Sequence, residues 1–106
     1  NDLNLLKGFL ENNKMLNNFE IYNVDKDTLP EKKFDYIISL YSMDYHYDFT
    51  VYQEYLKKVS TDNTIIIFDT IRPEYFKKIF LNTEIIASEQ KKIHSSKRIL
   101  CKKFII

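Results

Sequence analysis

The chain has 106 residues, of which 44% are hydrophobic and 15% aromatic, and its 16 basic and 15 acidic residues nearly cancel. A chain of this length forms one domain and buries about two-thirds of the surface that its unfolded form exposes. The balanced charge predicts no general attraction to nucleic acid or to an anionic membrane. The longest apolar runs are far shorter than the ~20 residues of a membrane span. The sequence therefore predicts a cytoplasmic protein without nucleic-acid or membrane partners.

Glycine and cysteine are each present once, as Gly8 and Cys101. The phosphate-cradling loops G-x-G-x-x-G and G-x-x-x-x-G-K-[ST] both need more than one glycine, so neither is present in this sequence. A single cysteine also excludes an internal disulfide and a cysteine-based zinc cage. Because Cys101 lies in an apolar pattern, we predict a buried structural thiol and not a nucleophile.

The first part of the chain begins with a predicted helix. Apolar residues recur at helical spacing over residues 2–16, and Asp2 is a suitable N-cap. Residues 18–24 then alternate apolar and polar side chains and are followed by turn-forming residues up to Pro30. We predict a short strand over residues 18–24.

Two continuous β-branched runs, residues 36–40 and 64–68, mark the centre of the chain. Runs without alternation are typical of parallel strands that helices cover on both faces. Between them, an apolar stripe over residues 51–59 predicts a helix, and Thr50 with Gln53 forms a capping box at its start. The predicted unit is strand, helix, strand.

A second helix and two more strands are predicted for the C-terminal third. Pro73 fits the first position of the helix, and Glu74 suits the positive end of its dipole. Residues 83–88 and 98–104 have strand patterns and are joined by a polar stretch that is too short for a crossover helix. We therefore expect these two strands to pair antiparallel.

This order of elements resembles the C-terminal two-thirds of a class I S-adenosylmethionine-dependent methyltransferase, a family whose sheet ends with an antiparallel strand. The match is carried by Asn-Val-Asp at 23–25 before Leu-Pro at 29–30, by the fourth strand at 34–39 and by the fifth at 64–69. The resemblance implies a three-layer α/β fold with a mostly parallel, Rossmann-like sheet and a C-terminal antiparallel strand pair. Residues 1–106 would then be a partial methyltransferase domain, from its third strand to its seventh.

The first two strands of that family, with the glycine-rich loop and the ribose-binding acid, have no counterpart in these 106 residues. In the family they lie beside the fourth strand, so without them the edge of strand 36–40 is open, which favours association. We expect one of two situations. The chain is part of a longer methyltransferase with an N-terminal half, or it closes its sheet as a homodimer.

Ligands of open parallel sheets bind beyond the carboxyl ends of the strands. There the run Ser-Met-Asp-Tyr-His-Tyr at 42–47, with Asp69-Thr70-Ile71-Arg72 downstream, is similar to sugar O-methyltransferases. The resemblance implies S-adenosylmethionine as cofactor and a small-molecule acceptor, a sugar. The cofactor-binding candidates are Asp25, Leu40 and Tyr41, and the substrate-binding candidates are Tyr45, Tyr47, Asp69 and Arg72. The tyrosine rings can stack on a sugar or on adenine, or they are plain core or surface residues. Arg72 can recognise an acidic acceptor, but a capping or solvated arginine is the alternative.

His46 is the candidate catalytic residue, because an imidazole with a near-neutral pKa can take a proton from a sugar hydroxyl during methyl transfer. The alternative is a histidine that packs among aromatic neighbours. Asp25 likewise has two interpretations, a contact to the adenine amino group or a turn aspartate that bonds its own backbone. Asp44, His46 and Asp48 alternate near Asp69, but loop carboxylates are usually solvated, so we predict no metal site.

Two functions from different classes are compatible with this sequence. The first is an enzyme, part of an S-adenosylmethionine-dependent O-methyltransferase, with the isolated chain inactive because its cofactor half is absent. The second is a noncatalytic α/β interaction module whose open sheet edge pairs with another copy or with a companion subunit.

Overall fold

The computed structural model describes residues 2–13, 19–23, 26–44, 47–90 and 95–105. In this part of the chain, two α-helices and two 3₁₀ helices accompany a mixed sheet of four strands. The helices are α1, Asp2–Asn12, and α2, Gln53–Lys58, with 3₁₀ helices at Phe49–Val51 and Pro73–Lys78. The strands are β1, Phe34–Ser39, β2, Ser60–Thr70, β3, Phe80–Gln90, and β4, Ser95–Phe104.

The sheet has the strand order β1-β2-β4-β3. β1 and β2 are parallel, with Tyr36 opposite Ile65 and Ser39 opposite Phe68, and α2 lies in the connection between them. β4 lies between β2 and β3 and is antiparallel to both, so β3 runs in the direction of β2 without pairing with it. The structure confirms the predicted parallel pair and the predicted antiparallel C-terminal pair.

A cluster of phenylalanines forms the core on one face of the sheet. The ring of Phe49 lies 5.2 Å from that of Phe68 and 4.9 Å from that of Phe76, and Phe68 and Phe76 are 4.8 Å apart. These rings come from the first 3₁₀ helix, from β2 and from the second 3₁₀ helix. Ile99 and Cys101 of β4 are buried against the same cluster, as predicted for the cysteine.

The predicted strand over residues 18–24 is wrong, because residues 19–23 form no regular strand. Turn hydrogen bonds occupy the backbone at its end: the carbonyl of Asn23 accepts from the amides of Lys26 and Asp27, and its own amide donates to the Asp27 carboxylate at 2.7 Å. Phe19 instead makes a side-chain contact, with its ring 6.1 Å from that of Tyr36. A segment without a backbone ladder partner does not become a strand.

Two helix predictions need correction at their ends. α1 ends at Asn12, not at residue 16, and the amide of Asn13 closes the last turn onto Phe9; residues 14–16 lie outside the described residues. The helix predicted over 51–59 is split into a 3₁₀ turn and the shorter α2.

The predicted capping box of Thr50 and Gln53 is wrong. The carboxylate of Asp48 accepts from the backbone amide of Thr50 at 2.9 Å and from its hydroxyl at 2.7 Å. An aspartate caps an exposed amide strongly, so the helical segment begins earlier than the apolar stripe indicates.

β1 is less covered than its sequence predicts, since Asp35 and Tyr36 are exposed while residues 66–70 of β2 are buried. Among the described residues no strand pairs with the outer edge of β1. No described helix is both long and apolar enough to cross a membrane.

We predict that Phe68→Ala lowers the free energy of unfolding by about 3–5 kcal/mol, because the removed ring leaves a cavity between two other rings. Val51→Ala is the matched control, since Val51 is exposed, and should change stability by less than about 0.5 kcal/mol. Urea unfolding followed by circular dichroism measures both values. Equal effects of the two substitutions would contradict this description of the core.

Candidate functional site

The carboxyl ends of β1 and β2 bring two segments together, residues 69–72 and the loop of residues 40–48, which we call the β1 loop. Two hydrogen bonds tie the loop to β2. The carboxylate of Asp69 accepts from the amide of Tyr41 at 2.7 Å, and the hydroxyl of Thr70 donates to the carboxylate of Asp44 at 2.6 Å. Residues 45 and 46 lie outside the described part of this loop.

Asp69 is buried and forms an ion pair with the partly buried Arg98. The guanidinium of Arg98 donates from Nε to Oδ1 of Asp69 at 2.9 Å and from Nη2 to Oδ2 at 3.2 Å. The two residues are directly opposite each other in the β2–β4 ladder. Because the guanidinium also lies over the rings of Phe9 and Tyr41, at 5.7 and 5.5 Å, the buried charge is compensated on several sides.

Asp44 is the centre of a second charge cluster. Its side chain is 3% exposed, and Oδ1 accepts from the amide of Phe49 at 3.1 Å and from Nη2 of Arg72 at 2.5 Å. The guanidinium of Arg72 lies 4.1 Å from the ring of Tyr75. The hydrogen bond that Arg72 donates to the Asp44 carboxylate raises the pKa of Arg72 above its ordinary value, so this arginine keeps its charge at every physiological pH.

The β1 loop has an unusual backbone. Tyr41 has φ 53° and Asp44 has φ 58°, a left-handed conformation that non-glycine residues rarely adopt. Further hydrogen bonds hold the turn: the amide of Met43 donates to the hydroxyl of Ser39 at 3.1 Å, and the amide of Tyr47 donates to the carbonyl of Ser42 at 3.2 Å. Strain of this kind persists only where surrounding contacts impose it, and it is concentrated at functional sites.

An open groove of about 810 Å³ runs beside β1. It is lined by β1 itself and by residues of α1, α2 and segment 19–23. At the carboxyl end of β1 the lining comes from the β1 loop, through Leu40, Ser42, Met43 and Tyr47. The ring of Tyr47 is 40% exposed and meets that of Tyr52 edge-on at 6.2 Å. The groove therefore offers aromatic surface beside hydroxyl groups, which suits a ligand with a ring and polar substituents.

The structure divides the predicted site residues into separate groups. Leu40 and Tyr47 line the groove. Tyr41 and Asp69 line a second cavity of about 230 Å³, together with Arg98. Arg72 lines neither of these cavities and is bound to Asp44 instead. Asp25, Tyr45 and His46 lie outside the described residues, so their roles stay predictions.

The intramolecular partners of Asp69 and Arg72 bear on the prediction that both bind substrate. The carboxylate of Asp69 accepts three hydrogen bonds from Tyr41 and Arg98. The Nε and Nη2 groups of Arg72 donate to Asp44. Substrate binding by these two residues stays a prediction. Their described contacts join the β1 loop to β2 and β4 and to the segment after β2.

The sequence does not indicate the roles of two residues of the site, Asp44 and Arg98. Its local pattern indicates Asp44 only as a candidate metal ligand and Arg98 only as part of a strand. Their partners lie 28 and 29 residues away in the chain, so no local pattern could have revealed either pair. Among the described residues no group of histidine, cysteine, aspartate and glutamate side chains is arranged to hold a metal ion.

A scan against protein-family models found no match to this chain, and searches of curated proteins and of solved structures found none either. No family is therefore indicated by these comparisons. Any function has to be argued from the residues and the geometry described above.

We predict that Asp69→Ala lowers the free energy of unfolding by about 1.5–3 kcal/mol, because it removes the charge-assisted hydrogen bonds of the buried carboxylate and leaves the partly buried guanidinium of Arg98 without this partner. Asp62→Ala is the matched control on the same strand. Asp62 is exposed and lies 4.0 Å from Lys103, and such a surface pair contributes less than about 1 kcal/mol. Chemical denaturation of the two variants should separate them clearly, and similar midpoints would contradict a stabilising role for Asp69.

Cys101 should be chemically inert in the folded protein. Burial raises the pKa of its thiol to about 12, so at pH 8 only about one molecule in ten thousand carries the reactive thiolate. We expect Ellman's reagent to label the native chain very slowly and the chain unfolded in urea at once. Rapid labelling of the native protein would show that this thiol is accessible.

Proposed function

We propose that this chain is part of a class I S-adenosylmethionine-dependent O-methyltransferase that acts on a sugar, with the cofactor half contributed by residues outside these 106. The observation that carries the proposal is the order of the sheet. A parallel pair joined by a helix-containing connection is followed by a strand pair whose last strand is antiparallel to its neighbours. This is the order that the sequence resemblance implies for the C-terminal part of such an enzyme.

A three-layer, Rossmann-like arrangement is part of the same proposal. Ile99 pairs with Phe68 and therefore lies on the face of the phenylalanine cluster. Arg98, the preceding residue, lies on the opposite face because side chains alternate along a strand. There it contacts Phe9 of α1. This supports helices on both faces, with α1 on one side and the helices that follow β1 and β2 on the other.

The groove supports the proposed position of the cofactor half. It follows the outer edge of β1, where the first strands of the family would be added, and its volume is within the usual range of about 300–1,000 Å³ for ligand sites. The described residues fit one part of such a site, since Leu40 and Tyr47 offer an apolar and an aromatic surface. We propose that Leu40 binds the cofactor together with Asp25, and that the acceptor lies against Tyr47 and Tyr45. Tyr41 lines the second cavity instead of the groove, so its contact with the cofactor stays a prediction.

When bound, S-adenosylmethionine supplies an electrophilic methyl group on a sulfonium. Asp25 and Leu40 would hold this group, with Tyr41 as a further predicted contact, and the acceptor hydroxyl oxygen would receive its methyl group. His46 would take the proton that the hydroxyl loses. Because the sulfonium is already a good leaving group, the remaining task of this chain is to orient the acceptor. The hydrogen-bonded turn formed by the described residues of the β1 loop is suited to that task.

The open edge of β1 also favours a second candidate function, a noncatalytic module that pairs with a second copy or with a companion subunit. Tyr36 is exposed, and no described strand pairs with the outer backbone of β1. Both features are typical of an edge that accepts another strand. Size-exclusion chromatography with light scattering tests this alternative. A well-folded 106-residue chain that stays monomeric at high concentration would count against self-pairing.

The enzyme proposal predicts that the natural polypeptide containing these residues transfers a labelled methyl group from S-adenosylmethionine to a sugar. His46→Ala should lower kcat by about 100-fold or more, because general-base catalysis is lost. His94→Ala is the matched control, since His94 is the other of the two histidines and has no proposed role.

Calorimetry adds a second measurement, in which the 106-residue chain alone should show no micromolar affinity for S-adenosylmethionine. The proposed function would be refuted by a natural polypeptide that neither binds this cofactor nor methylates any sugar in a broad panel. An active enzyme with unchanged kcat in His46→Ala would refute only the role of the histidine.

A further inference from the structure

Asp44 has a position that the proposed function does not explain. It lies in the β1 loop next to the groove, yet it does not line the groove. Its carboxylate is instead buried among three partners from three later segments: the amide of Phe49, the hydroxyl of Thr70 and the guanidinium of Arg72. One side chain thus joins the β1 loop to the first 3₁₀ helix, to the end of β2 and to the approach to the second 3₁₀ helix.

The local backbone shows why such a connection is needed. Asp44 itself has φ 58°, a conformation that costs free energy for any residue with a side chain and is least unfavourable for asparagine and aspartate. The hydrogen bonds of its carboxylate hold this conformation. Without them, the described part of the loop would relax toward an ordinary turn, and Tyr47 would move.

The residues that would move are those at the rim of the groove. Tyr47 comes three positions after Asp44. Its backbone amide donates a hydrogen bond to the carbonyl of Ser42. Both side chains line the groove. Their position therefore depends on contacts made on the other side of the loop, away from any ligand.

We propose that Asp44 is a positioning residue, which holds Ser42 and Tyr47 at the groove by fixing the β1 loop to Thr70 and Arg72. Arg72 then acts through Asp44 and not as an acceptor ligand. The effect on an acceptor rests on the proposed function, whereas the effect on the loop does not. Asp44 makes no direct contact with the reacting groups and is not a catalytic residue.

Asp48 provides a matched control within the same loop. Its carboxylate also approaches Arg72, but at 3.4 Å and with a side chain that is 59% exposed. A long, exposed ion pair contributes little to local order. A role specific to the buried carboxylate predicts a large effect at Asp44 and a small one at Asp48.

The first measurement is amide hydrogen exchange in the 106-residue chain, which needs no ligand. Asp44→Asn keeps the size and tolerance for positive φ but removes the charge that Arg72 binds. We expect the amides of Met43, Tyr47 and Phe49 to exchange at least about tenfold faster, with amides of β4 unchanged. In Asp48→Asn the same loop amides should stay within about twofold of the natural chain.

The second measurement is steady-state kinetics of the natural polypeptide. A variant that only reduced the folded fraction would lower the apparent kcat and leave KM for the acceptor unchanged. A displaced rim instead raises KM for the acceptor, and we expect about a tenfold increase in Asp44→Asn. Arg72→Lys, which keeps the charge but loses the forked geometry, should raise KM in the same direction by less and serves if Asp44→Asn folds poorly.

The outcomes distinguish the positioning role of Asp44 from the proposed function. Unchanged exchange of the loop amides in both Asp44→Asn and Arg72→Lys overturns the positioning role. So does an active enzyme in which neither substitution raises KM for the acceptor. Faster loop exchange in a natural polypeptide that transfers no methyl group supports Asp44 as the anchor of the loop and refutes the proposed function alone.

Discussion

The ion pair between the buried Asp69 and the partly buried Arg98 is the interaction on which the rest of this structure depends. A carboxylate taken out of water must be hydrogen-bonded, because a buried charge without a partner is destabilising. The pair therefore requires β4 to lie next to β2 in one register, with these residues opposite each other. Because Asp69 also accepts from the amide of Tyr41, the same carboxylate determines where the chain turns after β1. One side chain thus fixes both the topology of the sheet and the start of the candidate site.

Asp69 and Asp44 hold different parts of the β1 loop. Asp69 fixes its first residue, and Asp44 fixes its middle against Thr70 and Arg72. Below them, the phenylalanine cluster supports the segments that carry these partners, because Phe49 and Phe76 lie in the two 3₁₀ helices beside the loop. The loop is consequently held by contacts from behind while its other side faces the groove. A site organised in this way presents its side chains with little conformational freedom left to lose on binding.

The strands of this fold could be predicted from the sequence because their signals are local. The β-branched runs at 36–40 and 64–68 give strands directly, and the short polar connection before residues 98–104 leaves antiparallel pairing as the sterically available choice. The site could be predicted only in its position, at the carboxyl ends of β1 and β2. Its contacts could not, because Arg98 meets Asp69 through a ladder register between residues 29 positions apart. The strand prediction for residues 18–24 is wrong for the same reason. Alternating apolar and polar side chains indicate a segment that is able to form a strand, but not whether a partner strand lies beside it.

The β1 loop is hydrogen-bonded to its surroundings, whereas the outer edge of β1 is open among the described residues. This difference indicates where a second half of the site would attach. The hydrogen bonds described for the β1 loop are made within the loop itself or to Ser39 of β1, to β2, to Arg72 and to the first 3₁₀ helix. The outer backbone edge of β1, by comparison, has no strand partner among the described residues. A strand added there would bond to β1 without breaking any of the hydrogen bonds described for the loop. Under the proposed function, the cofactor half would therefore join this chain along β1 while the described part of the loop keeps its contacts.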